Sequence, residues 1–179
     1  SLYMQAYGIQ CYVPRNYSHK SSYIAYVLSI EEIQSLFREI DSYQPAVNAE
    51  TFHRLALEYR TLFRMLFCCG LRASEARKLR LDMANLENGV LRIYQSKGHN
   101  DRLVYLPDDL RQLCCDYLKI MTVKYKIRSE WFFPASDPAK VLQVASIGKR
   151  FRLAWGQTPY ARKGGSSQPC ILCVIRLWC

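Results

Sequence analysis

Phe67-Cys-Cys-Gly70-Leu-Arg72-Ala-Ser-Glu75-Ala-Arg-Lys-Leu79 is the stretch from which the rest of the chain is read. Behind it, Phe52, Leu55, Ala56, Tyr59, Leu62, Phe63, Leu66 and Phe67 recur at spacings of three and four. That period predicts a helix from about Ala49 to Cys69. Gly70 is the expected left-handed cap, because glycine alone takes that conformation without a Cβ penalty. A short helix is expected from Ala73 to Leu79. Arg72 then sits at the mouth of this helix with Glu75 one turn on. A carboxylate so placed orients the guanidinium and leaves its fork facing outward, a geometry suited to phosphate. The same spacing also fits a structural Arg–Glu pair at a helix–helix corner.

Downstream, Asn88-Gly89 marks a turn, and Val90–Tyr94 and Arg102–Leu106 alternate as strands. With the compact Ser96-Lys97-Gly98-His99 turn between them, residues 90–106 read as a β-hairpin. Helices are expected from about Asp108 to Lys126 and from about Val144 to Trp155, separated by Trp131-Phe-Phe-Pro134. Upstream, Ser29-Ile-Glu-Glu32 is a capping-box signal that opens a helix to about Ser42. Ile33, Leu36, Phe37 and Ile40 form its apolar face. The expected fold class is mainly α with a small β-hairpin or sheet, α+β.

The chain has 179 residues, half of them hydrophobic, and a formal net charge of +10. Such a balance points to a polyanionic partner, nucleic acid before an acidic membrane surface. Residues 1–137 hold 18 basic and 15 acidic residues; residues 138–179 hold 7 basic and none acidic. No run approaches the ~18 apolar residues of a membrane span. Cys68-Cys69 and Cys114-Cys115 are adjacent pairs inside helical patterns, where neighbours point apart. With Cys11 they read as small hydrophobes in a reducing, cytoplasmic compartment.

The central stretch resembles the tyrosine recombinases, the phage-integrase family. Gly70-Leu-Arg72-Ala-Ser-Glu75 followed by Leu79 is similar to that family's first signature box. Ser96-Lys97-Gly98 with the strand ending Leu106-Pro107 resembles its Lys-Gly turn. Ile24-Ala-Tyr-Val-Leu-Ser29 before Glu31-Glu32 resembles the opening of its catalytic domain, and Trp131-Phe-Phe-Pro134 a later segment. The resemblance implies that Arg72 clamps the non-bridging oxygens of a scissile phosphate. It implies that Glu75 orients Arg72 and that Lys97 protonates the leaving 5′ oxygen as a general acid. His99 reads as an exposed turn residue. Double-stranded DNA is the implied partner, with oligomers assembling on it, and no metal or other cofactor is called for.

Under the same resemblance, residues 1–13 are the end of a core-binding, SAM-like domain and 14–28 a linker. Residues 29–168 are a partial catalytic domain, and 169–179 an out-of-frame tail. The family's His-x-x-Arg box and C-terminal tyrosine are not found at their expected place, towards the C-terminus; the last tyrosine, Tyr160, comes ahead of where that box belongs. Codons compatible with Cys170–Cys179, read two nucleotides on, permit His-x-Leu-Arg-His-Thr-Phe-x-Val, which is similar to the box. The competing reading of the tail is a zinc site from Cys170, Cys173 and Cys179, with no fourth ligand nearby in sequence. The competing function is a non-catalytic, basic helix-turn-helix built from the helices flanking Gly70.

Overall fold

The computed structural model describes residues 28–46, 49–94 and 101–161. The expected domain end and linker before residue 28, the turn with Lys97 and His99, Cys11, and the tail with Cys170, Cys173 and Cys179 lie outside the described residues.

Helix α1 spans Ile30–Ser42 and starts on the expected capping box. The Glu32 amide donates to Ser29 Oγ at 3.3 Å, and the Ser29 amide donates to the Glu32 carboxylate at 2.8 Å. Two donors left orphaned at a helix start are thereby satisfied. Leu36 and Ile40 are buried, and Phe37 meets Phe67 edge-on at 5.2 Å. Helix α2, Glu50–Cys69, is the central element. Leu62, Phe63, Met65 and Leu66 are all at 0% exposure, so this end of the helix is enclosed on more than one side. It packs against α1 and against α3 and α4, which follow. Gly70 ends it at φ 59°, as the sequence predicts.

Helix α3 is Ala73–Arg77, five residues instead of the expected run to Leu79. A tertiary pairing shortens it. The Leu79 carbonyl accepts from the Phe132 amide at 2.8 Å, and Arg80 bridges to Trp131 in an antiparallel pair. These bonds draw the backbone out of the helix. A helix of little over one turn is too short to lie along a DNA groove, which removes the helix-turn-helix reading.

A short 3-10 turn, Leu81–Met83, leads into a three-stranded antiparallel sheet in the order β1-β2-β3. The strands are β1 Ala84–Asn85, β2 Val90–Ile93 and β3 Arg102–Tyr105. The expected hairpin is present, and β1 adds a third strand to it. The Asn88-Gly89 turn needs its glycine: Gly89 has φ 62°, and its carbonyl accepts from the Leu106 amide at 2.8 Å. Leu91 pairs with Val104 and Ile93 with Arg102, so these four share the inward phase of the sheet.

Helix α4, Asp108–Val123, stops short of the expected Lys126. Lys126 takes φ 52°, and the Ile127 amide donates back to the Met121 carbonyl at 3.0 Å. The turn closes the helix end and packs the apolar Ile127 against the core. Helix α5, Val144–Gln157, runs slightly past the expected Trp155. Between them Phe132 and Phe133 pack with Tyr117 of α4, ring centroids 4.9–5.7 Å apart. The buried Tyr117 hydroxyl donates to the Phe132 carbonyl at 2.9 Å.

Buried Arg54 fastens the next residues to α2. Its Nη1 meets Glu58 Oε2 at 3.0 Å, and its Nη2 donates to the Ala135 carbonyl at 2.7 Å. Among the described residues Glu58 Oε1 has no donor, and burial pushes this carboxyl well above its ordinary range against the opposing pull of Arg54. Of the two cysteine pairs, Cys114 is buried and Cys69 and Cys115 are half-buried, but Cys68 is exposed and corrects its reading as a core residue. All four are free thiols. No helix among the described residues is long and apolar enough to cross a membrane.

Candidate functional site

The site forms where α2 stops. The left-handed turn at Gly70 reverses the chain, Leu71 plugs into the core at 0% exposure, and Arg72 emerges at the start of α3. Ala73 and Ala76 bury the underside of that short helix. Glu75 lies between its buried and open sides, with its side chain 7% exposed.

The Glu75 carboxylate gathers four N–H donors. Oε1 accepts from Arg72 Nη1 at 2.7 Å and from Arg102 Nη1 at 3.2 Å. Oε2 accepts from the Arg72 backbone amide at 2.8 Å and from Arg102 Nη2 at 2.8 Å. An ionised carboxylate offers about four lone-pair sites, so this one is saturated. Two of the four bonds join Glu75 to Arg72, one to its backbone amide and one to its side chain. The Arg72 side chain is 46% exposed, and among the described residues only its Nη1 is engaged. One edge of the fork is held and the rest is presented outward.

Arg102 is the residue that sequence reasoning passed over. It enters from β3, 27 residues away in sequence from Glu75, and grips the carboxylate with two parallel bonds. A signal was available: in Arg102-Leu-Val-Tyr105 the arginine shares the phase of Val104, so a cation occupies an inward strand position. Lys97, the third expected site residue, lies outside the described residues.

Beside Glu75 opens a cleft of about 480 Å³, whose lining includes Lys78, Arg80, Arg92, Tyr94 and Trp131. Arg80 lies over the Trp131 ring, 5.9 Å from its centroid, and pairs with Glu130 at 2.9 Å and Asp82 at 3.2 Å. Lys78 and Arg92 are exposed on the same cleft. With Arg80 neutralised by its two carboxylates and Glu75 by its two arginines, Lys78 and Arg92 leave the cleft with positive charge, which favours an anion there. Burial pushes Cys69 and Cys114 up to about 12, so both are protonated at neutral pH. Among the described residues, no cluster of three His, Cys, Asp or Glu side chains could hold a metal.

A mainly helical unit with this small antiparallel sheet is the catalytic-domain fold of the tyrosine recombinases. The chain belongs to the phage integrase family, whose profile matches residues 27–160. It is 42% identical over 55 residues to tyrosine recombinase XerD of Pseudomonas aeruginosa, a match covering 31% of this chain and 18% of that protein. A XerD of Bradyrhizobium diazoefficiens is 30% identical over 116 residues, 61% of this chain and 36% of the relative. Among solved structures, XerA recombinase superposes with a TM-score of 0.63 at 14% identity, covering 99% of this chain and 56% of that one. XerH bound to its difH substrate gives 0.63 at 20% identity, over 83% of this chain and 40% of that one. A lambda integrase dimer bound to a core site gives 0.61 at 13% identity, over 88% and 52%. The matches thus span only part of each relative, from about a fifth to just over half of its length.

Proposed function

We propose that this chain is part of a site-specific recombinase or integrase that acts on double-stranded DNA by phosphoryl transfer. The observation that carries the reading is the Arg72 guanidinium, held along one edge by a carboxylate that is 7% exposed and otherwise open, with its own side chain 46% exposed. Arg72 binds the non-bridging oxygens of the scissile phosphate, where preformed donors stabilise developing charge. Glu75 orients Arg72. Lys97 protonates the leaving 5′ oxygen. Lys97 is four residues beyond Ile93 in sequence, and a chain of that length spans at most about 14 Å. That limit, together with the anchoring of β3 on Glu75, supports pairing Lys97 with Arg72 in one site.

The domain assignment follows the same logic: residues 29–168 supply part of the catalytic domain, residues 14–28 a linker from a core-binding domain ending near residue 13, and 169–179 an out-of-frame tail. XerH and lambda integrase were solved on DNA, and lambda integrase also as a tetramer on a Holliday junction. By analogy this chain's partner is duplex DNA, on which intact relatives assemble as oligomers.

The one His-x-x-Arg pattern of the 179 residues, His99-Asn-Asp-Arg102, lies between the strands and far ahead of the place of the family box, and no tyrosine follows Tyr160. The expected outcome on a nicked suicide substrate is duplex binding without a covalent adduct; an adduct would overturn the assignment of parts. Binding is tested by anisotropy across a salt series. Arg72→Ala should lower the slope of log K against log salt by about one phosphate contact. An unchanged slope would remove Arg72 from the phosphate site.

A further inference from the structure

We infer that Arg102 is a positioning residue for the phosphate site, acting through Glu75 to fix Arg72. The inference rests on the phosphate-binding reading of Arg72 and adds a residue to it.

The geometry distinguishes two kinds of contact on one carboxylate. Arg72 uses a single side-chain nitrogen on Glu75, at 2.7 Å, which holds the guanidinium while leaving donors for a ligand. Arg102 uses two, at 3.2 and 2.8 Å, the fork-to-carboxylate arrangement that fixes the plane of both groups. With the carboxylate plane fixed, Oε1 has one direction left in which to accept from Arg72. Without Arg102, the Glu75 side chain is tethered only within its own short helix, by the Arg72 amide at 2.8 Å. A helix of five residues is a weak frame for a group that must hold another in register.

The strand register supplies the second half of the argument. Arg102 pairs with Ile93, which is 3% exposed, and these two flank the turn containing Lys97. Pulling Arg102 onto Glu75 therefore seats the last paired rung of the hairpin against α3. Strand β3 and helix α3 thus share one carboxylate as their common anchor. Arg102 is itself 33% exposed, but both its carboxylate-facing nitrogens are committed. That commitment separates it from a direct phosphate ligand.

Side-chain NMR of the full chain tests this, with inorganic phosphate as the probe. The readouts are the Arg72 Nε–Hε signal and the rotation rate of its guanidinium. Arg102→Lys keeps the charge and the chain volume but loses the fork. A merely structural or electrostatic role predicts that lysine restores both readouts. Positioning predicts instead that Arg72 rotation speeds up by about fivefold or more and that the phosphate-induced shift falls by about threefold, because an ammonium cannot fix the carboxylate plane. Arg102→Gln is measured in parallel and should behave the same way, so a folding failure of one variant leaves the other to decide. Unchanged Arg72 rotation and phosphate response in the folded variants would overturn the inference. Arg72→Ala, which lacks the Arg72 Nε–Hε signal, separates the two levels through the phosphate-induced shifts of the Leu71–Ala76 backbone amides, followed in every variant. If that variant keeps the whole phosphate response of the chain, the phosphate reading of Arg72 fails. If it loses the response while the Arg102 variants keep it, only the positioning role fails.

Discussion

Replacing Glu75 by glutamine probes the site while hardly changing its volume. The carboxylate accepts four N–H donors, whereas an amide has one acceptor oxygen and a donating NH2 group. At least two donors must lose their partner, and whichever way the amide is turned, its NH2 faces another N–H. A hydrogen bond to a charged group contributes about 1.5–3 kcal/mol when shielded, but exposed ion pairs contribute only about 0–1 kcal/mol. Arg102 is 33% exposed and Arg72 46%, so the cost per lost bond belongs between those limits. About 1 kcal/mol for each of two bonds, with some added donor–donor repulsion, gives a loss of about 2–3 kcal/mol. Urea unfolding should show this as a lower midpoint at unchanged slope. A double-mutant cycle with Arg102→Met should return a coupling of about 1 kcal/mol or more, since the two residues share the lost bonds. A loss below about 0.5 kcal/mol, the range of ordinary surface substitutions, would refute the account of Glu75 as the anchor of the site. So would strict additivity with Arg102→Met.

Three further outcomes are expected. Gly89→Ala forces a Cβ into φ +62° and to 3.2 Å from Arg111 Cδ, and should destabilise by about 1–2 kcal/mol in thermal unfolding, with no loss measured if the turn relaxes freely. Tyr117→Phe removes the donor to the buried Phe132 carbonyl, and should cost about 1–2 kcal/mol, measured by urea unfolding; a neutral result would place water at that carbonyl. Glu58 is held above its ordinary value of 4.5 in the folded chain, so the folded state binds more protons than the unfolded one as pH rises past that value. Stability of the parent relative to Glu58→Gln should therefore fall as pH climbs from about 4.5 towards the raised folded value, and a pH-independent difference between the two would contradict the sign.

What was legible in the sequence is what short-range chemistry decides. The period of three and four from Phe52 to Phe67 reports a helix face because side chains that far apart share a side. Gly70 and the Ser29–Glu32 box mark helix ends because caps are made by residues within a few positions of each other. Arg72 and Glu75 pair across one turn of the same helix for the same reason. The alternation in Val90–Ile93 and Arg102–Tyr105 revealed strands, and the basic balance pointed to a polyanion. Tertiary structure alone decided the rest. Strand β1 has two residues, too few for an alternation to register. The end of α3 depends on a bond from Leu79 to Phe132, 53 positions on, and the binding of Arg54 on a carbonyl at Ala135, 81 positions on. The exposure of Cys68 follows from which elements happen to cover the end of α2. Above all, the partner that completes the Glu75 anchor arrives from another element. Its inward phase was visible along β3, but only the closing of the sheet onto α3 brings Arg102 within hydrogen-bond distance of the carboxylate.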